Sequence, residues 1–168
     1  VMHTVLISDL HLEDARPEVT GILRQFLRGP AREAAALYIL GDLFEFWIGD
    51  DVLTKTAQGV AAELSALREK DVRVYFVHGN RDFLLGSGFE QQTGCRLIPD
   101  PTVISLYGEK VLLMHGDTLC TDDVSYERLR RIVRHPFVRW VFGRLGLAQR
   151  RAIARRLRAG SRKHVGMT

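Results

Sequence analysis

Apolar residues in the first part of the chain fall into two alternating patterns, continuous runs and helically spaced sets. Short apolar runs predict buried strands, and three of them lie at 5–7, 37–40 and 72–77, the last interrupted only by Arg73. Apolar residues three or four positions apart predict amphipathic helices, and such sets lie around 19–27 and 60–67. The predicted order is therefore strand, helix, strand, helix, strand.

A later segment has the pattern of a β-hairpin. The apolar runs 103–107 and 111–114 are separated by Gly108 and Glu109, which predict a tight turn between antiparallel strands. Together with the alternating strands and helices before it, this hairpin predicts an α/β fold with a buried sheet of mixed direction, flanked by helices.

The pattern changes in the last part of the chain. Apolar positions within 126–133 continue one helical face, and Pro136 interrupts that helix. The run 137–142 then concentrates aromatic and aliphatic side chains, and the segment 150–158 is basic on nearly every side. This region is therefore predicted to be helical, with an apolar patch beside a basic one.

Charge separates the same two parts of the chain. Residues 1–126 contain 11 Lys or Arg against 19 Asp or Glu, whereas 127–168 contain 13 basic residues and a single acid, Glu127. An acidic body suits the binding of cations, and a basic tail suits anionic partners. We predict a core domain at 1–125 and a basic, apolar helical cap at 126–168.

Composition excludes several classes of protein. With 46% apolar residues and 5 prolines in 168 residues, the chain suits a packed domain rather than a disordered one. No apolar run approaches the roughly 18 residues of a membrane span, and the opening residues lack the pattern of a signal peptide. We therefore expect a cytoplasmic protein.

Cys95 and Cys120 have neither metal nor redox spacing, so both are expected to be ordinary buried thiols.

A polar cluster follows each of four predicted strands. The clusters are Asp-Leu-His at 9–11, Gly-Asp-Leu-Phe-Glu at 41–45, Gly-Asn-Arg-Asp at 79–82 and His-Gly-Asp at 115–117. In open α/β sheets the loops at the carboxyl ends of the strands converge, and ligands bind there. The glycines suit loops that require positive φ or close backbone approach. The four clusters are therefore expected to meet at one place.

The residue types in these clusters indicate a divalent metal site. Carboxylate, imidazole and amide oxygen are suitable ligands for Mn²⁺ or Fe²⁺, and the clusters contain no thiolate of the kind typical of structural zinc. One carboxylate can bridge two ions about 3.5–4 Å apart, and such a pair activates water for phosphoryl transfer. Arg81 is suited to binding a phosphate oxygen. The predicted chemistry is hydrolysis of a phosphate ester or diphosphate.

Each cluster taken alone has a purely structural explanation. Asp42 could cap a helix, Asn80 could occupy a turn, and His115 could be a hydrogen-bonded core histidine. Their joint occurrence at four successive strand ends favours the metal site. The remaining histidines lack this pattern and are not assigned as ligands: His3, His78, His135 and His164.

These motifs resemble those of the calcineurin-like metallophosphoesterases, and more narrowly those of the UDP-2,3-diacylglucosamine diphosphatases of lipid A biosynthesis. The resemblance spans essentially the whole chain, and its main segments are 38–45, 47–51, 78–84 and 113–123. It implies the calcineurin-like fold and hydrolysis of the diphosphate bond of UDP-2,3-diacylglucosamine. The implied products are UMP and 2,3-diacylglucosamine 1-phosphate (lipid X).

The resemblance also implies roles for individual residues. Two Mn²⁺ ions are implied, with the ligands Asp9, His11, Asp42, Asn80 and His115. Asp9 and His11 would serve one ion, Asn80 and His115 the other, and Asp42 would bridge them. Catalytic roles are implied for Asp42, Asn80, Arg81 and His115. Contacts with substrate phosphates are implied for Asn80 and Arg81, and contacts with the nucleoside-sugar part for Asp123 and Ser161.

The sequence departs from the family pattern in one respect. The family closes its site with a later Gly-His-Thr-His segment, which supplies one further ligand to each metal. No His-x-His occurs up to Thr168. We therefore expect this chain to be the N-terminal portion of a longer protein.

The basic tail allows more than one interpretation. It could be a solvated helix face, or a region that receives acyl chains and contacts an anionic membrane surface. The resemblance favours the latter, with a nucleotide-sugar lipid as substrate and a monomeric protein peripheral to the cytoplasmic face of the inner membrane.

Two other functions compete with this one. They are another metallophosphoesterase, such as a nuclease or phosphodiesterase, and an Arg-rich nucleic-acid-binding module. The apolar run 137–142 suits acyl chains better than a polynucleotide, and a simple binder would not require the ligand set. No nucleic-acid partner is therefore expected.

Overall fold

The computed structural model of this protein describes residues 3–119 and 124–165, in a chain that divides into two compact units, Val1–Asp123 and Val124–Thr168. The strands are β1 (Thr4–Ile7), β2 (Ala36–Ile39), β3 (Arg73–Val77), β4 (Arg96–Ile98), β5 (Thr102–Leu106) and β6 (Glu109–Leu113). The helices of the first unit are α1 (Pro17–Arg28), α2 (Lys55–Arg68) and α3 (Ser87–Thr93), with short 3₁₀ turns at Pro30–Glu33 and Asp117–Leu119. The helices of the second unit are α4 (Val124–Val133), α5 (Pro136–Arg144) and α6 (Leu147–Val165).

The first unit is built on a parallel sheet with the strand order β1-β2-β3-β4. Ile7 pairs with Ile39, and Ile39 pairs with Phe76, so the first three strands end side by side. Their following loops therefore leave the sheet at one edge, as open α/β sheets require at a ligand site.

The predicted α/β fold class, with mixed β-sheets flanked by helices, is confirmed, and within the described residues the two strand directions lie in separate sheets rather than in one. The only antiparallel pair in the described residues, β5 with β6, forms a separate sheet of two strands. Hydrophobic periodicity specifies which residues are buried, whereas the pairing partner of a strand is set by contacts remote in sequence. The two directions could therefore not be assigned to separate sheets from periodicity alone.

Both faces of the parallel sheet are covered, which explains the near-continuous apolar character of its strands. On one face Leu37 and Ile39 belong to a core that includes Leu27 of α1 and Leu64 of α2. On the other face Tyr38 belongs to a smaller cluster with hairpin residues of β5 and β6. Side chains alternate between the faces of a strand, so neighbouring residues of β2 enter different cores. Fully burying a leucine in such a core contributes about 1.5–3 kcal/mol.

The hairpin turn lies at Tyr107 and Gly108, one residue before its predicted position. Both residues have positive φ, 54° and 95°, which matches the two-residue turn whose twist suits antiparallel strands. Glycine adopts this conformation without strain, whereas tyrosine does so at some cost. The short elements α3 and β4 were not predicted, because neither is long enough to show a clear period.

The second unit is helical, and proline and histidine mark the start of its middle helix. Pro136 occupies the first turn of α5, and the His135 side chain accepts a hydrogen bond from the Phe137 N–H group. Phe137 and Trp140 are 63% and 55% exposed, with ring centroids 6.0 Å apart. The Arg144 guanidinium lies 4.3 Å from the centroid of the Trp140 ring, in a cation–π contact. Within the described residues, no helix is long and apolar enough to cross a membrane.

Candidate metal centre

The loops after β1 and β2 run side by side through backbone hydrogen bonds. The N–H groups of Asp9, His11 and Leu12 donate to the carbonyl oxygens of Gly41, Asp42 and Leu43, over 2.9–3.1 Å. The Glu45 N–H group returns a bond to the Leu12 carbonyl. The first two predicted clusters are therefore joined by a continuation of the sheet pairing beyond the strands.

Three predicted ligands adopt a left-handed backbone conformation. The φ angles of Asp9, His11 and Asp42 are 55°, 48° and 52°. This region is uncommon for residues that carry a Cβ atom, and such strain is concentrated at functional sites. The surrounding hydrogen bonds must offset this cost in the folded protein.

Asp42 lies at the centre of the cluster. It is buried, its Oδ1 atom accepts a bond of 2.9 Å from the Arg81 N–H group, and its Oδ2 atom faces two imidazoles. Oδ2 is 3.8 Å from His11 Nε2 and 3.7 Å from His115 Nε2. Burial raises the pKa of Asp42. The hydrogen bond from the Arg81 N–H group and the charges of the nearby His115 and His11 side chains lower this pKa, but by less. A bound cation would offset that burial cost.

Asp9 and His115 complete a group that can hold a metal ion. Ligand atoms of Asp9, Asp42 and His115 all lie within 4.8 Å of one another. The His115 Nδ1 atom donates to the Leu40 carbonyl oxygen over 2.8 Å. That bond assigns the proton to Nδ1 and leaves the Nε2 lone pair directed at the cluster, as carbonyl-bonded histidine ligands do in metal proteins.

The loop after β3 brings Asn80 and Arg81 to the same place. The Asn80 Oδ1 atom is buried and has no hydrogen-bond partner, and such an atom requires an explanation in a native structure. A metal ion provides one, because amide oxygen is a suitable ligand for Mn²⁺ or Fe²⁺. The donor set of carboxylate, imidazole and amide therefore fits a divalent cation.

The glycines of these loops are required by close approach. A Cβ atom on Gly79 would lie 2.1 Å from Asp42 Oδ1. A Cβ atom on Gly41, where φ is +87°, would lie 2.6 Å from the Gly79 backbone. Two ligand-bearing loops can therefore contact each other only because both residues lack a side chain.

Two further buried carboxylates were present in the motifs but were given no role from sequence. Asp82 is fully buried and accepts hydrogen bonds from backbone N–H groups of both loops. Burial and the neighbouring Asp42 charge raise the pKa of Asp82 to about 7, and the backbone N–H bonds oppose this. In sequence, an acid in a polar loop gives no sign of such burial.

Glu45 is the second of these carboxylates. Its Oε2 atom lies 3.2 Å from His11 Nδ1, although the two groups are not aligned as a hydrogen bond. Its carboxylate also lies 3.9 Å from an Arg81 nitrogen and 4.0 Å from an Arg16 nitrogen. Glu45 is therefore placed among a predicted ligand and two cations.

The structure brings Asp9, His11, Asp42, Arg81 and His115 together, with Asn80 in the same loop as Arg81. The structure gives no side-chain placement for the two residues expected to contact the nucleoside-sugar part. Asp123 lies outside the described residues, and Ser161 lies on α6, where its side chain is outside the described set.

Of the two cysteines, Cys95 is buried, and burial raises the pKa of its thiol to about 11. Cys120 lies outside the described residues.

The sequence of this chain matches those of known proteins. Residues 2–143 match the calcineurin-like phosphoesterases. The chain is 53% identical over 163 residues to a UDP-2,3-diacylglucosamine hydrolase of Stutzerimonas stutzeri, covering 97% of this chain and 68% of that protein. It is 52% identical over 166 residues to the protein of the same name from Pseudomonas aeruginosa, covering 99% and 69%.

A solved structure of a protein of unknown function from Aquifex aeolicus is a more distant match. It has 20% identity, a TM-score of 0.49 and coverage of 79% of this chain and 72% of that one. At this distance the similarity carries no conclusion about function.

Proposed function

Because this chain belongs to the calcineurin-like phosphoesterase family, we propose that it is a metal-dependent hydrolase that cleaves the diphosphate bond of UDP-2,3-diacylglucosamine. Water would be added across that bond to release UMP and 2,3-diacylglucosamine 1-phosphate, in lipid A biosynthesis. The observation that carries the proposal is the cluster of Asp9, Asp42 and His115 at the strand ends of a chain 53% identical to a hydrolase named for this substrate.

The cofactor in this proposal is a pair of Mn²⁺ ions. Asp9, His11 and Asp42 would hold one ion, and Asp42, Asn80 and His115 the other. The position of Asp42 Oδ2 between the two imidazole Nε2 atoms, 3.8 and 3.7 Å away, supports the bridging role. Bound divalent ions supply an activated water and neutralise charge that develops on phosphoryl oxygens.

Arg81 is proposed to hold a substrate phosphate. Its N–H group is bonded to Asp42 and its carbonyl oxygen accepts a bond from the Trp47 N–H group, so its backbone is fixed at both ends. Its side chain is 25% exposed and therefore accessible to a ligand. A guanidinium can form charge-assisted, bidentate hydrogen bonds with phosphate oxygens.

The second unit is proposed to serve the lipid end of the substrate. Phe137 and Trp140 are largely exposed, and Arg139 and Arg144 lie on the same helix, α5. Exposed aromatic side chains among basic ones suit an anionic membrane surface and acyl chains. On this basis we also propose a peripheral location at the cytoplasmic face of the inner membrane. From the family resemblance, Asp123 and Ser161 are proposed to contact the nucleoside-sugar part.

Isotope labelling tests the reaction. The full-length protein with Mn²⁺ would be incubated with UDP-2,3-diacylglucosamine in ¹⁸O-labelled water, and both phosphate products analysed by mass spectrometry. Attack at the α-phosphorus predicts one label in UMP and none in the lipid phosphate. Label only in the lipid phosphate would overturn that direction of attack. Hydrolysis of DNA or of a cyclic nucleotide in place of the lipid nucleotide would overturn the substrate.

Metal content of an Asp42 variant tests the bridging role. Asp42→Ala removes a ligand from both proposed ions, so the purified variant is expected to lose both and to lose activity. Asn80→Ala is the matched comparison, because it removes a ligand from one ion only. Two ions retained by Asp42→Ala would exclude the bridge.

A further inference from the structure

Two ligand loops of the candidate metal centre are joined by reciprocal hydrogen bonds, in which a carboxylate of each loop accepts from backbone N–H groups of the other. The Asp82 carboxylate, from the loop after β3, accepts bonds from the N–H groups of Asp42 at 3.3 Å and Leu43 at 2.8 Å, in the loop after β2. In return, the Asp42 carboxylate accepts a bond of 2.9 Å from the Arg81 N–H group. We refer to this pair of reciprocal contacts, Asp82 to 42–43 and Asp42 to Arg81, as the carboxylate clasp.

The Asp82 carboxylate also forms a hydrogen bond within its own loop, which carries Asn80. Asp82 Oδ1 accepts a bond of 2.9 Å from the Gly79 N–H group, across the two residues that lie between them. Those two residues are Asn80, with its buried and unpartnered Oδ1 atom, and Arg81. The Asp82 carboxylate therefore contacts backbone on both sides of the interface between the loops.

A carboxylate is the group that this position requires. Asp82 has 0% exposure, so no water can replace a missing acceptor. Its two oxygens receive three backbone N–H donors, an arrangement that matches the ionised carboxylate, because only that form is acceptor-only. An amide of the same shape would turn an NH₂ group toward at least one of these donors. Asn at position 82 would therefore lose an acceptor and create a buried clash between donors.

We propose that Asp82 is a positioning residue that sets Asp42 and the Asn80–Arg81 pair relative to each other, in readiness for metal. The proposal rests on the metal centre of the proposed function. Asp42 is held at φ 52°, a conformation that its own chain does not favour. The Asp42 N–H group donates to Asp82, and Asp42 Oδ1 accepts from the Arg81 N–H group. These two bonds keep Asp42 there, with Oδ2 directed at the two imidazoles.

The test compares metal binding by the full-length protein and by Asp82→Asn. Calorimetric titration with Mn²⁺ alone is expected to show affinity about 10–100-fold weaker, the usual effect of losing support behind metal ligands. The control is a core variant remote from the site, Val60→Ala or Leu64→Ala on α2, chosen to match the loss of unfolding free energy. That control is expected to keep wild-type Mn²⁺ affinity, because it destabilises the fold without disturbing the clasp.

A kinetic measurement separates positioning from stability. At saturating Mn²⁺, kcat of Asp82→Asn is expected to stay at least tenfold below that of the wild-type protein, whereas the destabilised control recovers wild-type kcat. If Asp82→Asn does not fold, Asp82→Glu takes its place. Glutamate keeps both oxygens and the charge but displaces them by one methylene, so it is expected to weaken Mn²⁺ affinity measurably relative to wild type. Wild-type affinity in Asp82→Glu would then overturn the role of Asp82.

Each outcome decides between the two proposals. Wild-type Mn²⁺ affinity in Asp82→Asn, or an equal loss in the core control, would overturn the role of Asp82. A wild-type protein that binds Mn²⁺ but does not cleave the lipid nucleotide would overturn the proposed substrate alone. A wild-type protein that binds no Mn²⁺ would overturn both.

Discussion

At the scale of single residues, the predicted ligands His11, Asp9 and Asp42 are held in a backbone conformation that costs free energy. Their φ angles lie between 48° and 55°, where a Cβ atom is crowded by the following carbonyl oxygen at about 1–2 kcal/mol per residue. Selection for stability alone would favour glycine at such positions. The presence of carboxylate and imidazole side chains there is consistent with a functional requirement that overrides stability.

This strain can be measured by paired substitutions at His11. We expect His11→Gly to be about 1 kcal/mol more stable than His11→Ala without metal, because glycine adopts positive φ freely. Urea unfolding in the presence of a chelator gives the difference. The same pair at Ser105, within strand β5, is the control and should show the opposite order, because glycine weakens a strand. Equal stability of the two His11 variants would show that the strain is absent.

Glu45 offers a second prediction at this scale. Its carboxylate lies 3.2 Å from His11 Nδ1, where it can align His11 when a metal binds Nε2. Glu45→Gln is expected to weaken Mn²⁺ affinity about tenfold, measured by calorimetry on the full-length protein. Glu13→Gln is the matched control, because both glutamates contact Arg16. The Arg16 side chain lies 2.9 Å from Glu13 and 4.0 Å from Glu45. Equal effects of the two variants would assign the change to Arg16 instead of His11.

At the scale of elements, α1 and α2 are joined by a buried acid with two cations. Glu63 of α2 accepts hydrogen bonds from Arg24 and Arg28 of α1. The Glu63 side chain is 9% exposed, whereas those of Arg24 and Arg28 are 40% and 56% exposed. The hydrogen bond and charge of Arg28, followed by those of Arg24, lower the pKa of Glu63. The contact therefore links these helices most strongly while Glu63 is ionised.

The pH dependence of this contact follows from the direction of the shift. A lowered folded-state pKa contributes stability above the ordinary glutamate pKa of about 4.3. That contribution is lost as the pH falls through the lower pKa of the folded protein. Glu63→Gln is expected to lower the unfolding free energy by about 1 kcal/mol at neutral pH, a modest value because solvent screens both arginines. The difference should disappear at acidic pH, once Glu63 is protonated in the folded state too.

Urea titrations across this pH range test the contribution of Glu63. Glu69→Gln is the control, because Glu69 is exposed at the end of the same helix. That variant should differ little from wild type at any pH. A Glu63 effect that persists unchanged into acid would show that packing, and not charge, links α1 to α2.

At the scale of the whole molecule, the division of charge coincides closely with a division of structure. The chain separates into units at Asp123 and Val124. Acidic residues outnumber basic ones, 19 to 11, in residues 1–126, whereas basic residues outnumber acidic ones, 13 to 1, in residues 127–168. An acidic unit with a candidate metal centre and a basic unit with exposed aromatic side chains are suited to different parts of an amphiphilic substrate. The proposed lipid nucleotide has both a charged and an apolar part.

Replacing the exposed aromatic residues of the second unit tests this division. Phe137→Ser and Trp140→Ser together are expected to raise KM for UDP-2,3-diacylglucosamine at least tenfold, because each acyl CH₂ that they shelter contributes about 0.8 kcal/mol. Slow hydrolysis of a nucleotide diphosphate sugar without acyl chains should barely change, and bound Mn²⁺ should be retained. An equal loss on both substrates would assign these rings to folding of the unit.

Much of the architecture followed from local pattern. The three predicted strands and the two helices of the first unit lie close to β1, β2, β3, α1 and α2, because burial on one or both faces leaves a period in the sequence itself. Residue chemistry at the strand ends likewise indicated a metal-dependent phosphoesterase. Pattern and residue type are properties of short segments, so the sequence alone determined them.

The tertiary structure decided what depends on contacts distant in sequence. Strand pairing separated the parallel sheet from the hairpin, and loop contact brought Asp42 Oδ2 between two histidines separated by more than a hundred residues. Burial then distinguished Asp82 and Glu45 from ordinary loop acids. Sequence cannot specify these features, because burial and hydrogen-bond partners are set only when remote segments meet.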